Sequence, residues 1–105
     1  MQRGDVVEIR LPKGKGSEQW GRRYGVVIQS DVLLPRSVVI IAPTSTSARA
    51  ASIRPEIVVE GMRTRVLVEQ LGALDVRRLG KVVGSMRGHD LWAIDDALER
   101  VLGLD

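Results

Sequence analysis

Hydrophobic positions along the chain predict several short strands followed by one helix. Val7, Ile9 and Leu11 recur at every second position, the period of a strand with one buried face. Later runs such as residues 26–28 are short, continuous and β-branched, as in strands that are buried on both faces. The predicted strands cover residues 6–11, 23–29, 37–42, 56–60, 64–69 and 81–83.

The segments between these runs predict loops and turns. Pro12 ends the first strand, and residues 13–21 form a polar, glycine-rich stretch typical of a long mobile loop. Residues 44–52 are rich in serine, threonine and alanine without a period, and they predict another loop. A turn at residues 61–63 joins two strands into a hairpin, and residues 75–79 are compatible with one helical turn.

From Asp90 the pattern changes to the period of an amphipathic helix, which Gly103 ends. Its hydrophobic stripe consists of Leu91, Ile94, Leu98, Val101 and Leu102. We therefore expect a mainly β fold with a C-terminal helix (α+β), in which a small, bent antiparallel sheet or barrel is capped by that helix. A length of 105 residues predicts one domain over residues 1–105.

The amino-acid composition excludes several kinds of site. The chain has no cysteine, which excludes disulfides, thiolate metal sites and a cysteine nucleophile. No apolar run approaches the roughly 20 residues of a membrane span, and the N-terminus lacks the apolar segment of a signal peptide. We expect a soluble cytoplasmic protein with no membrane partner.

Basic residues are concentrated in the first part of the chain. The net charge is +3, and basic residues crowd the stretch from Arg10 to Arg23, where Glu18 is the single acid. This stretch predicts a phosphate-facing surface in the first part of the chain, whereas the C-terminal segment is acidic. The alternative is that these lysines and arginines are solvated loop residues.

Three sequence blocks resemble the MazF/PemK family. They read GSEQ at 16–19, GRR at 21–23 and VVIQSD at 26–31, and the family's version is G-S-E-Q-x-G-x-R-P followed by a V-V-x-Q-x-D strand. Shorter matches follow in order over nearly the whole chain. They are RGDV at 3–6, IAPTS at 41–45, VEQ at 68–70, Asp75, RLG at 78–80 and LGL at 102–104.

The resemblance implies a toxin of a type II toxin-antitoxin system with a CcdB/PemK-like fold. Such a toxin is a homodimeric, metal-independent endoribonuclease that needs no cofactor, cuts single-stranded RNA at short sequences and is neutralised by a cognate antitoxin. Of the family's Arg and Thr pair, the Arg matches Arg23. Counting from Pro43, the Thr falls on Ser45, which Thr44 and Thr46 flank.

The departures from the family pattern concern three positions. Tyr24 stands where the family has Pro, Trp20 where a small residue is usual, and Gly72 where a basic residue is common. These departures affect the expected target sequence and catalytic rate more than the expected fold.

The candidate catalytic residues have different chemical capacities. The guanidinium of Arg23 can hold two phosphate oxygens, but it stays protonated and is unsuited as the general base. Glu18 is the candidate base, with an ion pair to Arg22 or a lysine as the alternative. Ser45, or in its place Thr44, would donate a hydrogen bond to the phosphate, although serine is also common in turns.

A second group of residues is predicted to bind RNA. Lys15 and Arg22 would position phosphates, and Trp20 would stack on an unpaired base, unless it packs in a core or a dimer contact. Trp92 is interpreted as packing beside the helix stripe. The remaining members of the predicted RNA-binding set are Ser17, Gln19 and Thr46.

The other polar residues argue against different mechanisms. His89 is the only histidine, which excludes a two-histidine ribonuclease mechanism within one chain. Asp95 and Asp96 lack a spaced histidine or further carboxylates, so we interpret them as a solvated helix face. Two alternatives to the nuclease stay open: a CcdB-like inhibitor of DNA gyrase, and a degenerate toxin that binds RNA or antitoxin without cutting.

Overall fold

The computed structural model describes residues 1–10 and 23–105. This part of the chain forms seven strands and one α-helix. They are β1 (Asp5–Ile9), β2 (Arg23–Val27), β3 (Val38–Ser45), β4 (Glu56–Val59), β5 (Met62–Val66), β6 (Gly72–Asp75), β7 (Leu79–Ser85) and α1 (Gly88–Leu102). Single 3-10 turns lie at Asp31–Leu33, Val68–Gln70 and Val76–Arg78.

The strands form one antiparallel sheet in the order β4-β5-β3-β2-β1-β7. β3 is the longest strand, and it pairs with β6 through its first half, from Val38 to Ile41. Its last two residues, Thr44 and Ser45, pair with β5 instead. Because β3 changes partner along its length, the sheet curls there instead of continuing flat.

Both faces of the central strands are buried, since neighbouring residues belong to different hydrophobic clusters. Val6 and Val26 contribute to a cluster that includes Ile94 and Ala97 of α1. Val7 and Val27 contribute to a second cluster on the opposite face. Burial on both faces explains why these strands have continuous apolar sequences.

The structure confirms the predicted fold class and corrects several boundaries. β6 was not predicted, because its sequence Gly-Ala-Leu-Asp contains no β-branched residue. Residues 44 and 45 were predicted as loop, yet they continue β3 since β5 supplies hydrogen-bonding partners. The hairpin turn is Glu60-Gly61, as the register Val59 to Met62 shows, and not residues 61–63.

The strand predicted at residues 64–69 is β5 (Met62–Val66), and its last residues belong to the 3-10 turn Val68–Gln70 instead. The helical turn expected at residues 75–79 is the 3-10 turn Val76–Arg78, which the Asp75 carboxylate caps by accepting from the Arg77 amide. The C-terminal helix spans Gly88–Leu102, and Gly103 follows it in the left-handed conformation. Within the described residues, no helix has the length and apolar character needed to cross a membrane.

Candidate active site

The start of β2 and the end of β3 meet in one cleft of about 460 Å³. The two strands pair antiparallel through Gly25 and Pro43, so Arg23 and Ser45 lie at the same end of the sheet. The β4-β5 hairpin forms the facing wall of the cleft. The lining residues are Arg23, Tyr24, Thr44, Ser45, Thr46, Ser47, Val59, Glu60, Met62 and Thr64.

Arg23 is the first residue of β2 and is half-buried. On one side it pairs with Ile9 of β1. It also lines a second cavity of about 200 Å³, whose wall includes Gln70 and Leu74. Arg23 therefore lines both the cleft and this smaller cavity.

The hydroxyl groups at the end of β3 differ in their surroundings. Thr44 is buried, and its Oγ1 donates to the Tyr24 carbonyl at 3.2 Å. Ser45 is half-buried; its Oγ accepts from the Ser47 amide at 3.2 Å and lies 3.3 Å from the Ser47 Oγ. Thr46 is exposed at the cleft. The structure thus brings together Arg23 and the three hydroxyl residues predicted from the sequence.

The cleft also contains a pair that sequence reasoning missed. Tyr24 donates its phenolic hydrogen to Glu60 Oε1 at 2.9 Å. Glu60 occupies the hairpin turn with φ at +51°, followed by Gly61 at +80°. An acidic residue and glycine between two alternating strands indicate a two-residue turn, and this signal could have placed Glu60 at a hairpin tip. The pairing of that tip with Tyr24 was not readable from the sequence.

The connection from β3 to β4 is anchored by an ion pair. Arg54 donates through Nε at 2.9 Å and Nη2 at 2.7 Å to Glu69 Oε2, and both side chains are about one quarter exposed. These hydrogen bonds hold the pKa of the Glu69 carboxyl below its usual value. Arg65 donates to the Arg54 carbonyl at 2.9 Å, which ties the connection to β5 as well.

Several predicted site residues lie outside the described residues. They are the candidate base Glu18 and the candidate RNA-binding residues Lys15, Ser17, Gln19, Trp20 and Arg22.

The predictions for the helix have mixed outcomes. Trp92 is 63% exposed and stacks on His89 with ring centroids 6.2 Å apart, so its interpretation as a packing residue is wrong. Asp95 and Asp96 lie on the polar side, where they pair with Arg3 at 2.7 Å and Arg100 at 2.8 Å. In the ranges 1–10 and 23–105, no three acidic or histidine side chains cluster in a way that could hold a metal ion.

The arrangement suits recognition of an anion. An arginine and several hydroxyl residues line one cleft, and side chains of these types can bind a phosphate through charge and hydrogen bonds. The cleft lies at the end of a curled antiparallel sheet packed on one helix. Fold and cleft together define a small domain of the curled-sheet class with an arginine and several hydroxyl residues in one cleft.

Comparison with known proteins identifies the family. The sequence profile of the PemK-like, MazF-like toxin of type II toxin-antitoxin systems matches residues 2–102. A candidate toxin of Mycobacterium tuberculosis is 41% identical over 104 residues, covering 97% of both chains. The endoribonuclease MazF of Staphylococcus epidermidis is 31% identical, and the match covers 100% of this chain and 93% of the staphylococcal protein. The chain therefore belongs to the PemK/MazF toxin family.

A solved structure agrees on the fold. An endoribonuclease from a mycobacterial species, in complex with its cognate antitoxin, superposes with a TM-score of 0.80 at 17% identity. The superposition covers 100% of this chain and 97% of that one. The curled sheet with a C-terminal helix is thus the fold of this family, as the sequence resemblance implied.

Proposed function

We propose that this toxin cleaves single-stranded RNA in the cleft between β2, β3 and the β4-β5 hairpin, at specific short sequences and without a metal ion. Endoribonuclease activity follows from membership of the PemK/MazF family and from similarity to the staphylococcal MazF. The observation that carries the choice of site is that Arg23, Thr44 and Ser45 line one cleft.

The proposed reaction uses the substrate's own 2′-hydroxyl. Its oxygen attacks the adjacent phosphorus, the bond from phosphorus to the 5′-oxygen breaks, and a cyclic phosphate and a 5′-hydroxyl result. Negative charge increases on the non-bridging oxygens during this step, and Arg23 would stabilise it. The proton from the 2′-hydroxyl passes to a general base, for which Glu18 stays the candidate, and the departing oxygen takes up a proton.

The two hydroxyls at the end of β3 would serve this step unequally. The Thr44 hydrogen is already donated to the Tyr24 carbonyl. The Ser45 oxygen accepts from the Ser47 amide and lies 3.3 Å from the Ser47 Oγ, where either hydroxyl can be the donor. When Ser47 donates, the Ser45 hydrogen is available to a phosphate. We therefore assign to Ser45 the hydrogen bond to the phosphate, with Thr44 as the alternative and Thr46 as an outer RNA contact.

The proposal extends to partners and location. The solved relative in complex with its cognate antitoxin supports neutralisation of this chain by an antitoxin. We expect that antitoxin to cover the cleft. Exposed hydrophobic side chains at Val32, Val38 and Ile40 support a homodimer, which light scattering after gel filtration would test. We place the activity in the cytoplasm, where the RNA substrate is found.

The test is incubation of the purified protein with a long single-stranded RNA in the presence of EDTA. Wild type should cut the RNA at discrete sites, and Arg23→Ala should lower the rate by roughly 100- to 1,000-fold through loss of transition-state stabilisation. Arg63→Ala is the matched control, since Arg63 is an exposed arginine on β5 that does not line the cleft. Intact RNA with wild type would reject the nuclease; retained RNA binding without cutting would favour a degenerate toxin.

A further inference from the structure

We propose that Glu60 selects a guanine beside the scissile bond by accepting hydrogen bonds from the Watson–Crick edge of that base. This inference rests on the proposed RNA-cleaving function, and it assigns a target-sequence determinant to a residue that the family pattern does not single out.

Charge is the first argument. Glu60 is the one acidic residue among the described residues that line the cleft. A carboxylate there repels the phosphates of an RNA strand, whereas Arg23 attracts them. RNA bound with a phosphate at Arg23 would therefore turn a base edge, and not its backbone, toward the hairpin tip.

The Glu60 carboxylate is held in place by a hydrogen bond, and a side chain that recognises a base must be positioned in this way. Tyr24 donates to Glu60 Oε1 at 2.9 Å, and the tyrosine packs against the main hydrophobic cluster. Glu60 is also the one non-glycine residue with positive φ among the described residues. In a two-residue turn with positive φ at both positions, asparagine, aspartate or glycine is preferred at this place, so a glutamate there points to a role of its side chain.

The chemistry of the bases selects guanine. An ionised carboxylate can only accept, and its two oxygens retain lone pairs after one bond from Tyr24. Guanine presents two adjacent donors, N1–H and the N2 amino group, which match the two oxygens. Adenine and cytosine place a ring-nitrogen acceptor beside their amino group, and uracil flanks its single donor with carbonyl oxygens. Single-stranded RNA exposes these edges for such recognition.

The experiment maps cleavage sites in a pool of random single-stranded RNA for wild type and Glu60→Gln. Wild type should favour guanine at one position flanking the cut. Glutamine offers one acceptor and one donor, which match the amino group and N1 of adenine. Glu60→Gln should therefore lower the preference for guanine over adenine at that position by roughly 10- to 100-fold. Glu56→Gln, a carboxylate of the same hairpin outside the cleft, should keep the wild-type pattern.

Three further measurements separate the role of the Glu60 side chain from an effect on folding. Replacing the selected guanine by inosine removes only the N2 amino group; it should slow wild type by roughly 10-fold and affect Glu60→Gln little. Tyr24→Phe keeps the ring but loses the bond that orients Glu60, so it should weaken the guanine preference. Thermal melts of each variant would identify any that does not fold.

Each outcome has a definite meaning. Equal base preferences in wild type and Glu60→Gln, or no guanine preference in wild type, would overturn the inference. Uniform loss of cutting with unchanged site preference would also overturn it, because that result would indicate that Glu60 accepts a proton in the reaction. Absence of cutting by wild type would instead reject the proposed function itself.

Discussion

Glu69→Gln tests whether the ion pair between Arg54 and Glu69 stabilises the fold. Arg54 makes two hydrogen bonds to Glu69 Oε2, at 2.9 and 2.7 Å. Hydrogen bonds to charged groups contribute about 1.5–3 kcal/mol each, but both side chains are partly solvated, which screens the charges. Glutamine can still accept one bond, while its amide nitrogen takes the place of Oε1, which is buried with no hydrogen-bond partner among residues 1–10 and 23–105. We expect the free energy of unfolding to fall by about 1–2 kcal/mol.

Urea unfolding at neutral pH measures this loss, followed by tryptophan fluorescence or circular dichroism. For a domain of this size the change corresponds to a decrease in Tm of about 4–8 °C per kcal/mol. Glu56→Gln is the matched control, because Glu56 is more exposed and its contacts with Arg65 and Arg63 are longer, at 3.3 and 3.7 Å. Equal midpoints for wild type and Glu69→Gln would refute the role assigned to the pair.

The pH dependence of stability follows from the direction of the same shift. The pKa of Glu69 is lowered from 4.5 by hydrogen bonds from Arg54, so the unfolded chain binds a proton more readily than the folded one. The contribution of Glu69 is therefore present above about pH 4.5 and is lost as the pH falls through the lower folded value. Glu69→Gln should flatten the dependence of the unfolding free energy on pH below 4.5, and an unchanged slope would contradict this assignment.

Three further predictions concern packing and the cleft. Ile94 lies on α1 and is fully buried in the cluster that α1 forms with the sheet. Ile94→Ala should therefore lower the free energy of unfolding in urea by about 2–5 kcal/mol. A side chain at Gly25 would meet Ile9 Cδ1 at 2.7 Å, so Gly25→Ala should destabilise by about 1–3 kcal/mol in the same assay. In RNA cleavage assays Ser45→Ala should lose roughly 10-fold or more, and more than Thr44→Val; the reverse order would transfer the phosphate contact to Thr44.

The sequence predicted the parts of the fold that depend on local pattern. Continuous β-branched runs mark the central strands because both faces of those strands are buried. The family was also predicted correctly, since its motifs consist of residues that are close in sequence. β6 escaped prediction, because Gly72–Asp75 becomes a strand only through its pairing with Val38–Ile41 of β3. Tertiary pairing of this kind leaves no local signal.

The residues of the site were likewise predictable only where they belong to a local sequence motif. Arg23 and the hydroxyl residues after Pro43 are in recognisable motifs, and the structure places them in one cleft. Glu60 was missed because its relevance depends on Tyr24, 36 positions earlier in the chain. No periodicity or composition connects two residues at that separation. Only the order of strands in the sheet brings the hairpin tip to the cleft.

The pairing of β3 with β5 explains why the hairpin and the hydroxyls should act together. Thr44 and Ser45 are in register with Val66 and Arg65, and the hairpin that continues from β5 carries Glu60 at its tip. A shift of that register by one residue would turn the side chains to the opposite face and would also move the hairpin tip. The same hydrogen-bonded strand pair therefore determines where the hydroxyls proposed to contact the phosphate lie and where the proposed base-reading carboxylate lies. A substitution that disturbs it should alter cleavage rate and target sequence together.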